Sequence, residues 1–204
     1  FSRSDNRPKA IAALLHAGRD AEGLPAYRTA VDLLRRWWEL AETELAAGGG
    51  KGIRRSALQA TLALARIGAI FGAYPHAEAA RAAARGRELA ESLGDTNALA
   101  QLLYFHGEIT IVGDQEAFAR GLALAEESVR VAENARHPMT ALSLARGVAI
   151  LYALDGRFAE ARSSCARVVQ ALEAAGHRET ASDLYVSTRW INDNILYLSD
   201  GLDE

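Results

Sequence analysis

The chain has 204 residues, of which 50% are hydrophobic and 24% charged, as is ordinary for a globular protein that buries a core. A formal net charge of −3 argues against nucleic acid as a ligand, because phosphate binding needs a dense basic face. The single cysteine, Cys165, excludes an intramolecular disulfide and suits a reducing cytoplasm, and no apolar stretch is long enough to span a membrane.

The composition predicts an all-α protein, because alanine is abundant and strand-favouring runs are nearly absent. In chain order, the predicted helices cover residues 7–20, 25–47, 52–72, 76–93, 96–113, 116–135, 139–155, 158–175 and 179–199. Pro25 and Pro138 fall in first turns, where the missing N–H has no cost. Thr96, Thr140 and Thr180 are candidate N-caps.

Two features stand out in and after the second predicted helix. The side chains of Trp37 and Trp38 point about 100° apart on a helix, so we expect one in the core and the other over a hairpin junction. The alternative is an exposed aromatic at a partner interface. The glycine-rich segment 48–52 lacks the strand and the Lys-Ser/Thr pair of a phosphate loop, because Lys51 is followed by Gly52. We predict a flexible turn there.

An internal repeat covers most of the remaining chain. Residues 56–72, 97–113 and 140–156 align without gaps; each starts with a polar residue and Ala-Leu and ends in glycine. The terminal glycines are 41 and then 43 residues apart and suit helix C-termini. The helices between these segments carry a seam of mostly small residues, spaced 4-3-4 on one helical face. The seam consists of Ala79, Ala83, Gly86 and Ala90, then Gly121, Ala125, Ser128 and Ala132, then Ala161, Cys165, Val168 and Leu172.

Small facing residues allow close approach of two helices, so each period predicts a tightly packed helical hairpin that needs stacked neighbours to complete its core. We therefore predict a single repeat domain over residues 1–204. It comprises an N-terminal hairpin (7–47), repeats at 52–95, 96–137 and 138–177, and a more polar C-terminal capping helix (179–199), followed by an acidic tail. Because the chain starts at Phe1 and not at Met, we expect a fragment of a longer protein.

Individual motifs resemble tetratricopeptide repeats. Residues 156–161, Gly-Arg-Phe-Ala-Glu-Ala, are similar to the Gly-x-Tyr/Phe-x-x-Ala turn of that family. Residues 88–95, Glu-Leu-Ala-Glu-Ser-Leu-Gly-Asp, resemble the ending of a longer variant found in bacterial signalling ATPases, in LuxR-type and maltose-regulator-like activators, and beside class III adenylate cyclases. Residues 10–42 resemble the first hairpin after the ATPase part of such proteins, and Gly121 stands where the family usually has alanine.

The resemblance implies a right-handed superhelix of antiparallel hairpins that acts as a protein-interaction or regulatory scaffold in bacterial signal transduction or transcription regulation. It implies a protein or peptide partner, or other domains of the same chain, and leaves a homodimer open. It carries over no catalytic residue. We expect no enzyme activity, cofactor, metal, membrane or direct nucleic-acid binding, and a cytoplasmic location. The histidines lack metal-ligand spacing, and Cys165 lies within the seam.

The first helix of each hairpin lines the concave face in tetratricopeptide-like stacks, which gives a candidate ligand or partner groove. Its predicted residues are Gln59, Arg66, Tyr104, Glu108, Arg146, Tyr152, Trp190 and Asn194. Arg66 and Arg146 interrupt apolar helices, and a buried arginine needs a partner. Either both arginines pair with an internal acid such as Glu108, or the groove binds a peptide or a small anionic ligand and the chain is a sensor.

Overall fold

The computed structural model describes residues 7–23, 26–72, 74–112, 115–177 and 181–200, and these residues form nine helices and no strand. The helices are α1 (Arg7–Gly23), α2 (Tyr27–Ala46), α3 (Lys51–Phe71), α4 (His76–Leu93), α5 (Thr96–Thr110), α6 (Gln115–Asn134), α7 (Pro138–Leu154), α8 (Phe158–Ala174) and α9 (Ser182–Asp200). The predicted all-α helical-repeat class is confirmed. Two compact units, 1–124 and 125–204, divide the chain within α6. The handedness of the superhelix concerns both units together and stays a prediction.

Most helix ends lie within a few residues of the predicted ones, but α5 ends at Thr110 and not at residue 113. The Thr110 hydroxyl donates a 2.7 Å hydrogen bond to the His106 carbonyl oxygen and so competes with the helical backbone pattern. Gly113, predicted as the end of this helix, lies outside the described residues, as do Pro25 and Thr180.

Two predicted caps are wrong. The N-cap of α5 is Asp95 and not Thr96, because the Asp95 carboxylate accepts a 2.9 Å hydrogen bond from the Ala98 N–H. The N-cap of α7 is His137 and not Thr140, and Pro138 occupies the first turn as predicted. Asp95 is a better cap for α5 than Thr96, because its carboxylate also interacts favourably with the positive end of the helix dipole.

Close helix packing in the first unit follows from small residues at the contacts. Hairpins α1–α2 and α3–α4 pack on one another through α3, and α5 packs on both helices of the second hairpin. Gly68 of α3 faces the Ala79 methyl group, and Gly86 of α4 faces Thr61 and Leu102. A side chain at either glycine would push the helices apart, so these residues set the packing distance.

All twelve predicted seam residues are buried. In α4 they are Ala79, Ala83, Gly86 and Ala90; in α6, Gly121, Ala125, Ser128 and Ala132; in α8, Ala161, Cys165, Val168 and Leu172. The seam prediction is therefore confirmed in each of the three second helices of the repeats. Burial raises the pKa of the Cys165 thiol, which behaves as a small core residue and not as a reactive one.

In the second unit, α9 closes the core that α7 and α8 share. Ile191 and Ile195 pack with Ala149, Ala161 and Cys165. Tyr185 packs in a neighbouring cluster, whose other buried members are Ala145, Val168 and Leu172. Asp183, Arg189 and Asp193 of α9 are exposed and suit the polar outer face of a capping helix. Val186 and Trp190, 63% and 66% exposed, are large hydrophobic side chains and depart from that pattern.

Five of the described helices end in the same turn, which we call the joint. A residue with positive φ follows the helix, and the N–H of the next residue bonds to a carbonyl oxygen five positions back. These bonds run from Gly49 to Glu44, from Asp95 to Ala90, from His137 to Ala132, from Arg157 to Tyr152 and from His177 to Leu172, at 2.8–2.9 Å. The positive-φ residue is Gly48, Gly94, Gly156 or Gly176 in four joints and Arg136 in the fifth.

The seam gives a direct stability prediction. Ala161→Leu inserts three carbons into a site with no exposed surface, so we expect the free energy of unfolding to fall by about 1 to 3 kcal/mol. Ala159→Leu, exposed on the same helix, is the matched control and should change it by less than about 0.5 kcal/mol. Urea denaturation followed by circular dichroism measures both. Equal midpoints for the two variants would contradict the seam register.

Candidate functional site

A surface cavity of about 270 Å³ lies between α6 and α8 in the second unit, with α7 as its floor. We call it the second cleft. It is lined by Glu126, Val129, Arg130, Glu133, Ala145, Val148, Tyr152, Ser164 and Arg167. Ala145 and Val148 keep the floor apolar, and the Ser164 hydroxyl donates a 3.1 Å hydrogen bond to the Ala145 carbonyl oxygen. That bond ties α8 to the backbone of α7, so the cleft has a fixed floor.

Tyr152 connects the floor of the second cleft to its α6 wall. Its hydroxyl donates a 2.8 Å hydrogen bond to Glu126 Oε1. Burial first, and then this hydrogen bond, raise the pKa of Tyr152, so the phenol keeps its proton at neutral pH. Tyr152 therefore positions Glu126 and does not act as a base.

Arg157, from the turn before α8, lies beside Tyr152 and two carboxylates. Its guanidinium lies 4.4 Å from the centroid of the Tyr152 ring. Its Nε donates a 3.0 Å hydrogen bond to Glu160, which lowers the pKa of that carboxyl group, and its Nη1 lies 3.9 Å from Glu126. One positive charge is thus shared by Glu160, which is close, and Glu126, which is more distant.

The two arginines that line the second cleft differ from Arg157 in that they have no carboxylate partner in the described part of the chain. Arg130 on α6 and Arg167 on α8 are exposed and lie on opposite walls. Neither forms an ion pair with any residue that the structure describes. Because a guanidinium stays charged and presents several N–H donors in one plane, the two walls offer fixed positive charge to an incoming group.

The first unit holds a related cavity of about 400 Å³ between α2 and α4, with α3 as its floor. This first cleft is lined by Trp38, Glu42, Thr61, Leu64, Tyr74, Glu78, Arg81, Ala82 and Arg85. Here too an arginine from outside the lining binds a tyrosine and a glutamate. Arg35 Nη2 donates a 2.6 Å hydrogen bond to Glu78, and its guanidinium lies 5.3 Å from the centroid of the Tyr74 ring. This hydrogen bond raises the pKa of Arg35 and lowers that of Glu78.

The two clefts are equivalent in the repeat. The seam registers relate α8 to α4 by 82 residues, and the helix-terminal glycines relate α7 to α3 by 84 residues. In these registers the lining pairs are Arg85 with Arg167, Ala82 with Ser164, Thr61 with Ala145 and Leu64 with Val148; Glu42 and Glu126 are also 84 residues apart. Each cleft therefore has a glutamate on one wall and an arginine on the other.

Four predicted groove residues lie in the first unit. Gln59 is exposed and accepts a 3.4 Å hydrogen bond from Arg19. Arg66 is exposed, so the expectation of a buried arginine is wrong there. Tyr104 is buried, and its hydroxyl donates a 2.7 Å hydrogen bond to Glu108 one turn further along α5.

The other four lie in the second unit. Arg146 is half-buried, and its Nε has no hydrogen-bond partner among the described residues. Tyr152 lines the second cleft. Trp190 is exposed, and the exposed Asn194 donates a 2.7 Å hydrogen bond to its carbonyl oxygen. Because its members are divided between the two units, the groove as a whole stays a prediction.

The remaining features singled out in the sequence have local structural roles. Lys51 is the first residue of α3, and a helix rather than a strand precedes the glycine-rich turn. Trp37 is fully buried and Trp38 half-buried, with their rings edge to face at a centroid distance of 5.3 Å. Within the described ranges, no three His, Cys, Asp or Glu side chains are grouped so that they could hold a metal ion. Nor is any helix there long and apolar enough to cross a membrane.

Comparison with known proteins gives no family. No protein-family profile matches the chain, and no curated protein is significantly similar to it. Among solved structures, the de novo designed helical repeat protein DHR64 is 21% identical, with 98% of this chain and 97% of that chain covered and a TM-score of 0.32. The DHF79 filament is 19% identical, with 93% and 99% covered and a TM-score of 0.32. Similarity of this degree carries no argument about function.

Proposed function

We propose that the chain is a non-catalytic protein-interaction or regulatory scaffold module that binds a partner protein, or another domain of the same chain, through its clefts. The observation that carries the proposal is the recurrence of one cleft design in two repeats, with glutamate and arginine on opposite walls. Folding alone does not require charged walls at equivalent positions, whereas recognition of a partner uses them.

The tetratricopeptide resemblance supports a place in a bacterial signalling or transcription-regulatory protein, and the single cysteine suits a cytoplasmic one. Catalysis is not part of the proposal. The tyrosine of each cleft has a raised pKa and keeps its proton at neutral pH, and the arginines are permanent cations. What the lining offers is hydrogen-bond donors, charge and apolar area, which are the means of binding.

Site-specific photo-crosslinking in the native host tests the proposal. A benzophenone amino acid at Val129, which lines the second cleft, should give a discrete crosslinked product. The same group at Glu127, exposed on the same helix outside the lining, is the control and should not give that product. Glu42 and Glu39 form the corresponding pair on α2 for the first cleft. Identical crosslinking from lining and control positions, or none from either cleft, would refute the proposal.

The second unit also favours the sensor alternative, in which the site binds a peptide or a small anionic ligand. The favouring observation is the pair Arg130 and Arg167, which the described residues leave without an ion pair. In this alternative the anion binds in the second cleft and not in the groove predicted on the first helices.

A further inference from the structure

We propose that the second cleft recognises an acidic segment of a partner protein, with a carboxylate side chain held between Arg130 and Arg167 and an adjoining apolar side chain on the floor. The inference rests on the proposed scaffold function and deepens it, because it names the chemistry of the partner. It concerns a surface that shares only Tyr152 with the predicted groove.

The two arginines of the second cleft carry the first step. The lining has two guanidinium groups, Arg130 and Arg167, and two carboxylates, Glu126 and Glu133. Glu126 accepts the hydrogen bond from Tyr152 and lies 3.9 Å from Arg157. Arg130 and Arg167, on opposite walls, form no ion pair with a described residue. A carboxylate that enters between these two arginines complements them.

The size and polarity of the cleft carry the second step. About 270 Å³ accommodates one or two side chains and is too small for a whole helix. The half-buried Val129 supplies apolar surface beside the arginines, and the nearly buried Ala145 and Val148 form the floor beneath it. The occupant that fits is therefore an extended segment in which Asp or Glu neighbours an aliphatic residue, and not an isolated small anion, which would leave the apolar surface uncovered.

The contacts around Tyr152 carry the third step. The ring is held by the 2.8 Å hydrogen bond to Glu126 and by Arg157 at 4.4 Å from its centroid. Ser164 ties the α8 wall to the floor through its bond to Ala145. Because these intramolecular contacts tie both walls to the floor, binding loses little free energy to ordering the walls.

Selection of a phage-displayed random heptapeptide library on the purified chain tests the inference. The expected result is enrichment of Asp or Glu next to Leu, Ile or Val. Arg167→Gln should weaken binding of a selected peptide about tenfold, as expected for loss of one charge-assisted hydrogen bond. Arg162→Gln makes the same charge change outside the lining on α8 and should alter binding less than about twofold, well below the tenfold of one such bond. Fluorescence polarisation measures the affinities, and replacing the peptide's acids by their amides should abolish binding.

Three results would overturn the inference. The first is the absence of acidic residues among selected peptides; if Val129 still crosslinks to a partner in the host, the scaffold function stands and only the ligand chemistry is wrong. The second is acidic enrichment that persists in the Arg130→Gln, Arg167→Gln double variant, which would place acid binding elsewhere. Self-association in sedimentation experiments that Arg167→Gln removes would assign the cleft to a second copy of the chain and likewise overturn the proposal.

Discussion

Replacing Trp37 by alanine will lower the free energy of unfolding by about 3 to 5 kcal/mol, the cost of removing a large aromatic side chain from a packed core. Trp37 has no exposed surface and belongs to the buried stripe of α2, with Ala30, Val31, Leu34 and Ala41. Removal of the indole leaves a cavity that the surrounding helices fill only in part. Urea denaturation followed by circular dichroism measures the loss.

The adjacent Trp38 provides a matched control. It is half-buried on the next position of the same helix, so Trp38→Ala removes the same group from partly hydrated surface. We expect a loss of about 1 kcal/mol. Similar losses for the two variants would mean that α2 presents a different face to the core.

Replacing Gly121 by alanine will lower the free energy of unfolding by about 3 kcal/mol, at the upper end of the cost of overpacking. A Cβ atom at Gly121 would lie 2.6 Å from the Gly107 carbonyl oxygen and 2.9 Å from the Ile111 nitrogen. These two atoms form the last backbone hydrogen bond of α5, at 3.0 Å, so neither can move without breaking it. The resemblance to the repeat family puts alanine at this position, and the contact explains why glycine occupies it.

The direction of the change in the free energy of unfolding is what tests this prediction. Helix propensity alone makes alanine about 1 kcal/mol better than glycine. Gly52 in the first turn of α3 has open space around its Cβ position, so Gly52→Ala should leave stability unchanged or raise it. If thermal unfolding shows that Gly121→Ala is stabilising too, the close approach of α6 to the end of α5 is wrong.

The fold could be predicted from the sequence where its determinants are local. The 4-3-4 spacing of small residues marks the buried face of each second helix, and all twelve seam positions are indeed buried. The end of α5 could not be predicted in this way. Ile111 and Val112 continue the apolar pattern, yet α5 ends at Thr110, where Gly121 of α6 approaches the Ile111 nitrogen closely, and this tertiary contact cannot be read from the local sequence.

The candidate site was predicted less well, because it depends on which face of a helix meets its neighbours. The sequence prediction puts Arg146 and Tyr152 in one groove. Side chains six positions apart on an α-helix, however, point about 120° away from each other. Tyr152 instead contacts Glu126, which is 26 residues away on α6. The sequence does contain a signal for the clefts, because their charged wall residues recur after about two repeat periods. The recurring pairs are Glu42 with Glu126 and Arg85 with Arg167.

The recurring joint has a consequence for how stability is distributed along the chain. Four of the joints have glycine at the positive-φ position, where that conformation costs little, but Arg136 adopts φ 59° at the end of α6. A side chain in that conformation costs about 1 to 2 kcal/mol. The turn between α6 and α7 is therefore strained, and the packing of the two flanking helices keeps it in this conformation. In native-state hydrogen exchange, the His137 amide will lose its protection before those of Asp95, Arg157 and His177.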